Sequence, residues 1–234
     1  MKFTLIVSCT LIFLCTFVEL DAQRKRFRPK QRFHAGIIAG MNLAQIDGDN
    51  HTGYNKIGIM GGLQGIALVS RRVHLVAELL YAEKGARVEY LDAAVSRKER
   101  VLDLRYAEAP ILVRIHLTSN EDKDQATQVA IETGFSFAGL LQTNIEENVD
   151  RVTHSFTAVA DEFKRNEINY IIGLQIAPIK QLRLGIRSTT AISRMYVNEM
   201  IGPSRSGPAP VGFQPPLEFF RNYHLGLYVS YQIY

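Results

Sequence analysis

The stretch Val73-His-Leu-Val-Ala-Glu-Leu-Leu-Tyr-Ala-Glu-Lys84 decides how this chain folds. Its apolar side chains recur at every second position, and they are Val73, Leu75, Ala77, Leu79 and Tyr81. The positions between them carry His74, Glu78 and Lys84. Because successive side chains of an extended strand point to opposite faces, this period predicts a β-strand with one apolar and one polar face.

The same two-residue period returns along the chain from Phe33 onward, with turn-forming residues between the runs. Together with the first run we count eight predicted strands, at about 33–46, 57–69, 73–84, 102–117, 131–137, 168–176, 182–187 and 223–233. Pro110 lies inside the fourth strand and has no N–H for a ladder, so we expect a bulge or a local break there.

The connections between these strands alternate in length. Short ones are expected at 70–72, 118–127 and 178–181, and long ones at 47–56, 85–101, 141–166 and 194–220. Short turns at one end and long loops at the other are typical of outer-membrane barrels, and strands of about 10 residues suffice to cross a bilayer when tilted. The sequence therefore predicts an all-β fold, an eight-stranded antiparallel up-and-down transmembrane β-barrel.

The overall composition agrees with this prediction. The 234 residues are 47% hydrophobic and 21% charged, which excludes collagen-like, disordered and polytopic helical membrane proteins because each needs a more biased composition. The mean hydropathy of −0.03 suits a barrel, since strands that alternate apolar and polar side chains average near zero.

The N-terminal segment reads as an export signal. Lys2 precedes an apolar run, and a basic stretch begins at Arg24, which predicts a signal peptide at 1–22 cleaved near Ala22. Residues 23–32 form a basic tail, and 33–234 form the barrel domain. The two cysteines, Cys9 and Cys15, lie in the segment to be removed, which excludes disulfides and thiol catalysis in the mature chain.

Four short motifs resemble the PorT-type outer-membrane β-barrel family (outer membrane protein beta-barrel domain). They are Gly36-Ile-Ile-Ala-Gly40-Met-Asn42-Leu, Tyr54-Asn-Lys-Ile-Gly58, Glu78-Leu-Leu-Tyr-Ala-Glu-Lys84-Gly85 and Tyr106-Ala-Glu108-Ala-Pro110-Ile-Leu. The resemblance implies a barrel in the outer membrane of a diderm bacterium, with both ends in the periplasm, inserted by the barrel-assembly machinery and without known enzymatic activity. The family's name comes from a member linked to protein export, so a link to export is one implication, although most relatives have no assigned role.

If the apolar faces contact outer-membrane lipid, the opposite faces line the lumen. Eight strands enclose a space that side chains can fill, and buried charges need partners there. We therefore predict a structural polar network, whose members are Glu78, Lys84, Tyr106, Glu108, Arg114, Glu132, Arg183 and Arg187. A path for protons or small ions is the alternative reading of the same residues.

The sequence predicts no catalytic, cofactor-binding or metal-binding residue and no cofactor. Loop residues of the types used in hydrolases, His51, His154, Ser155, Asp161 and Glu162, have no spacing that fixes a nucleophile beside a base. The strand histidines His34, His74, His116 and His224 lack the paired spacing of a metal site and are interpreted as polar lumen residues.

We therefore expect a non-enzymatic membrane scaffold or binding surface that acts through long external loops. A protein partner in the periplasm or outside the cell is expected, and a nucleic acid is not, because an exported chain does not meet one. Two other functions stay open: an outer-membrane enzyme that modifies lipid or peptide, and a soluble periplasmic barrel that binds a hydrophobic ligand inside.

Overall fold

The computed structural model describes residues 32–47, 53–91, 97–117, 128–147, 163–197 and 219–233, which all belong to one compact unit, Arg32–Tyr234. The predicted signal peptide and nearly all of the basic tail lie outside the described residues.

Nine strands follow one another along the described chain. They are β1 (Phe33–Asp47), β2 (Lys56–Leu68), β3 (Val73–Leu91), β4 (Arg97–His116), β5 (Gln128–Glu147), β6 (Asn166–Ala177), β7 (Leu182–Ala191), β8 (Tyr196–Val197) and β9 (Phe219–Ile233). The two-residue β8 pairs only with β9, outside the wall, so eight strands form the wall itself.

The wall is a closed, antiparallel, up-and-down sheet. Each strand pairs with the next in the order β1 to β7 and then β9, and β9 pairs back with β1 from Ala35↔Ile233 to Asp47↔Arg221. The predicted fold class is thus confirmed. The short-turn end of the barrel carries connections 69–72 and 178–181 and both terminal strand ends, and the opposite end is called the long-loop end.

The two faces of the wall are those that the alternation predicts. Large apolar side chains are exposed on the outside, for example Ile37, Leu63, Leu79, Ile111, Phe135, Ile172 and Leu227. The intervening positions are buried inside and include eight charged residues, namely Glu78, Lys84, Glu108, Arg114, Glu132, Glu167, Arg183 and Arg187. An apolar outside and a charged inside are the reverse of a soluble barrel that carries a hydrophobic ligand.

The predicted long connection at 85–101 is wrong. β3 continues to Leu91 and β4 begins at Arg97, so only residues 92–96 separate the two strands. β5 likewise runs to Glu147, beyond the predicted loop start at Leu141. The alternation is misleading because the polarity of the two faces inverts there: Leu102 and Leu104 are buried inside, whereas the charged Arg105 is half-buried on the outside.

The irregularity expected at Pro110 is found in the ladder between β4 and β3. The β3–β4 ladder is interrupted between Ala77↔Ile111 and Leu80↔Glu108, opposite the missing N–H, but Pro110 still pairs with Ser136 of β5. The bulge of the β4–β5 ladder lies further along, between Arg105 and Tyr106, where Leu141 is the extra residue of β5. Within the described part of the chain, no helix is long and apolar enough to span a membrane.

Candidate functional site: the polar lumen

The structure places all eight residues of the predicted polar network inside the barrel. Each is at most 6% exposed, and the set is Glu78, Lys84, Tyr106, Glu108, Arg114, Glu132, Arg183 and Arg187. Alternation accounts for this placement, since all eight residues stand at the inward-facing positions of their strands.

An ion-paired cluster around Lys84 lies toward the long-loop end. The Nζ atom of Lys84 is 2.9 Å from Oε2 of Glu108 and 3.5 Å from Oε1 of Glu167. The ammonium group also lies 4.9 Å from the centre of the Tyr106 ring. Ser136 and Asn169 donate hydrogen bonds to Glu108, so this buried carboxylate is held by one cation and two polar groups.

Glu167 is the lumen residue that sequence reasoning missed. It is 2% exposed and accepts a 2.6 Å hydrogen bond from Nδ2 of Asn222 in addition to its contact with Lys84. The predicted sixth strand began one residue later, at Ile168, although the parity of that strand already places Glu167 on the inner face. With Glu167 the network holds four acids against four bases.

A second cluster joins β3, β4, β5, β7 and β9 deeper in the barrel. Arg187 forms a bidentate ion pair with Glu78, at 2.8 and 3.4 Å, and stacks 4.1 Å above the centre of the Tyr228 ring. Arg114 reaches Glu132 at 3.5 Å, and the Tyr228 hydroxyl donates to the same carboxylate. These contacts tie strands that are far apart along the chain.

Inward-facing glycines make room for these large side chains. A Cβ atom built on Gly185 would collide with the Tyr228 ring, and one built on Gly40 would collide with the backbone of Leu227 and Tyr228. The narrow interior of an eight-stranded barrel has no other space for a ring that crosses it. Gly185, and Gly40 of the first motif, therefore leave space for the strand that carries Tyr228.

A small cavity with both polar and apolar walls lies between the two clusters. Its volume is about 10 Å³, and its wall includes Glu108 from one cluster and Arg187 from the other. Three further wall atoms, Oδ1 of Asn42, Nε of Arg187 and Oγ1 of Thr189, are buried without a hydrogen-bond partner in the protein. A cavity of this size accepts one water molecule, which could bridge these atoms.

The strand histidines are placed inside as predicted, but two of them form a pair that spacing did not indicate. Nε2 of His116 lies 3.1 Å from Nδ1 of His74, on the neighbouring strand. His116 and His224 are buried, and His34 and His74 are half-buried. Among the residues that the structure describes, no group of three or more His, Cys, Asp or Glu side chains could hold a metal ion.

The lumen is closed at the long-loop end by an apolar cap. Side chains from β1, β3, β4, β5, β8 and β9 meet there with two residues outside the strands, and the cap consists of Ile46, Ala86, Leu102, Leu104, Tyr106, Ala138, Phe163, Met195, Tyr196 and Phe220. The rings of Phe163 and Phe220 pack edge to face with centres 6.1 Å apart. The cap covers the Lys84 cluster and, through the Tyr106 hydroxyl, contacts Glu167.

The loop residues considered for hydrolytic chemistry, His51, His154, Ser155, Asp161 and Glu162, lie outside the described residues. The described site is chemically a filled, charge-balanced core. Its carboxylates face cations and hydroxyls at short range, which suits structural pairing of buried charges.

Comparison with known proteins agrees with this architecture. Residues 21–197 match the model of the outer membrane protein beta-barrel domain family. No curated protein matches the chain.

Among solved structures the chain is similar to Ail, the attachment invasion locus protein of Yersinia pestis, at 10% identity and a TM-score of 0.42, over 87% of this chain and 100% of that one. It is similar to the outer membrane protein OprG of Pseudomonas aeruginosa at 8% identity and a TM-score of 0.40, over 86% and 94% of the two chains. A third similar structure is the outer membrane protein AlkL, at 12% identity and a TM-score of 0.32, over 90% and 96%. The family match spans most of the chain, and the chain therefore belongs to the outer membrane protein beta-barrel domain family.

Proposed function

We propose that this protein is a non-enzymatic scaffold or binding surface in the outer membrane of a diderm bacterium, exported by a signal peptide cleaved near Ala22. Its lumen serves as a structural core, and its long-loop end faces the outside of the cell. The observation that carries the proposal is the combination of an exposed apolar outer wall with an interior filled by ion pairs. The exposed apolar outer wall suits contact with lipid and argues against a soluble carrier protein. The interior filled by ion pairs leaves no room for a diffusion channel.

Within its family we place the chain with the PorT-type members. The glycines at 36, 40 and 58 and the pair Glu108 and Pro110 support this placement, because they stand at the motif positions on which the resemblance rests. Barrel-assembly machinery would insert the chain, and a protein partner would bind at one of its ends.

Conductance and gel mobility test the proposal together. The full chain is expressed in a diderm bacterium, extracted from the outer-membrane fraction with detergent and inserted into planar lipid bilayers. We expect a band that shifts on boiling, which indicates a closed barrel, together with a bilayer current that stays at baseline. Stepwise conductance from the shifting species would contradict the filled lumen, and recovery in the soluble periplasmic fraction would contradict the membrane location.

A further inference from the structure

Three strands continue beyond the wall at the long-loop end. The β2–β3 ladder ends at Met60↔Ala82 and the β5–β6 ladder at Gly139↔Asn166. The β3–β4 ladder nevertheless runs on to Leu91↔Arg97, and the β4–β5 ladder to Arg100↔Glu147. Residues 83–91, 97–104 and 140–147 thus form a three-stranded sheet that projects past its neighbours, here called the ledge.

The ledge starts where the outer surface turns polar. Partly exposed ion pairs and hydrogen bonds lie at this height on β1 to β5 and β9, namely Asp47 with Arg221, Lys56 with Asp103, and Arg105 with Glu83 and Gln142. Charged side chains of this kind belong at the membrane surface and not in the hydrocarbon layer. The ledge therefore stands in water above the membrane.

The β5 edge of the ledge has no neighbouring strand among the residues that the structure describes. The N–H of Leu140 donates to the carbonyl of Arg165 at 2.7 Å, and there the pairing with the chain before β6 stops. That chain turns away, since the N–H of Lys164 donates to the carbonyl of Met195 at 2.8 Å. Alternate backbone groups of residues 141–147 then point sideways, as in any edge strand.

This edge is held rigid by its inner face. Leu141 is the bulged residue, and the bulge lets both Leu140 and Ile145 pack on the apolar cap although they are an odd number of residues apart. Leu102 and Leu104 of the adjacent strand are fully buried in the same cap. A preorganised strand binds a partner with a smaller loss of conformational entropy than a flexible one.

The composition of the edge favours one kind of partner. Residues 141–147 contain the β-branched Thr143 and Ile145, and they lack both Lys and Pro, two residues that often protect edge strands. Gln142, Asn144 and Glu146 are exposed and present no positive charge. A strand that carries a basic side chain opposite Glu146 complements this edge.

We propose that residues 141–147 bind an extended peptide segment of a partner protein by β-strand addition, with a basic side chain of the segment beside Glu146. Backbone hydrogen bonds supply the affinity of such a complex, and alternate side chains supply its specificity. This inference rests on the proposed function, which sets the long-loop end outside the cell.

The test uses a peptide that copies residues 97–105 (RKERVLDLR), of which residues 100–105 pair with the opposite side of β5. The labelled peptide is titrated into the full barrel in detergent, and fluorescence anisotropy is measured. Two further peptides carry N-methyl groups on alternate residues, one on the odd and one on the even set. In a bound peptide, the backbone amides of either the odd or the even residues face the β5 edge, but not both. We therefore expect one methylated peptide to lose binding and the other to keep it.

Two variants test which edge of the ledge binds the peptide. Glu146→Lys is expected to weaken binding about fivefold, the upper end of the effect of one cross-strand charge pair. Glu89→Lys changes the charge equally on the opposite edge of the ledge and should leave the affinity unchanged.

Three results would overturn the proposal: no binding to a barrel that still shifts on boiling, equal binding of both methylated peptides, or a loss of binding in Glu89→Lys alone. A concentration-dependent dimer that excludes the peptide would also overturn it, because the occupant would then be a second copy of this chain. A chain that yields no heat-shifting band in membranes instead contradicts the proposed function.

Discussion

Single residues matter most where the lumen is tightest. Gly185 and Tyr228 face each other across the β7–β9 pair, and the ring occupies the space that a side chain on residue 185 would take. A tightly packed protein interior tolerates additional atoms poorly.

We expect Gly185→Ala to lower the free energy of unfolding by about 1–3 kcal/mol, the usual effect of overpacking. Its matched control is Gly65→Ala, since residue 65 faces outward and the nearest atom to its added Cβ lies 3.9 Å away. Urea unfolding of the refolded barrel in detergent, followed by gel mobility, measures both. Equal stability of the two variants would show that the Tyr228 ring is placed elsewhere.

Lys84 is the only cation within ion-pair distance of Glu108 and Glu167 among the described residues. Its replacement by Met should lower the free energy of unfolding by about 3–5 kcal/mol, because two buried carboxylates would lose their cation. Lys56→Met breaks a half-buried pair with Asp103 at the rim and should change stability by about 1 kcal/mol or less. The same urea series compares them, and similar losses in both variants would contradict a buried ionic cluster.

At the scale of elements, the two faces of each wall strand lie in different environments. Its outward face meets lipid and its inward face meets other side chains, so the effect of a substitution depends on the face and on the depth in the membrane.

The strand β4 provides a test of depth. Ile111, 61% exposed, lies near the middle of its apolar outer face, and Leu117, 55% exposed, lies just past its end. Ile111→Arg should reduce the free energy of folding into lipid vesicles by about 2–4 kcal/mol, and Leu117→Arg by about 1 kcal/mol or less. Folding yields measured against urea concentration distinguish them. Equal effects would mean that this face does not contact the hydrocarbon layer.

The three strands of the ledge differ from the rest of the wall in the polarity of their inner and outer faces. In the described part of the ledge beyond Lys84, the inward side chains are apolar, and the outer side of its base carries Glu83, Arg105 and Gln142. We expect water and not lipid outside the ledge, whereas inside it the apolar cap takes the place of the ion pairs.

For the whole molecule, closure depends on the last strand. β9 pairs with β7 on one side and with β1 on the other, yet it lies beyond residue 197, where the family match ends. The part of the chain that resembles the family model thus lacks the strand that closes the wall.

A chain truncated after residue 197 should accordingly give no band that shifts on boiling. Loss of β9 leaves β1 and β7 as open edges, and an open sheet has unpaired backbone groups in the membrane. Deletion of residues 24–31 retains all nine strands and should keep the shift. Gel mobility of the outer-membrane fraction checks both, and a shifting truncated chain would show that β9 is dispensable for closure.

The fold class and the assignment of the two faces follow from the amino-acid sequence alone. Alternation at Val73 to Lys84 is a local property, because the direction of each side chain follows from that of its neighbour. The same rule placed Glu78, Glu108 and Arg187 in the interior before any strand pairing was known.

Which of these groups meet, and where the strands end, depends on how distant parts of the chain pack together. The Arg187–Glu78 pair joins residues 109 positions apart, and the His74–His116 contact depends on the register of β3 against β4. The length of the ledge likewise depends on what covers its inner face, the cap with Phe163 and Phe220. Register, pairing across the lumen and burial beneath a cap depend on distant parts of the chain, so a period of two residues carries no information about them.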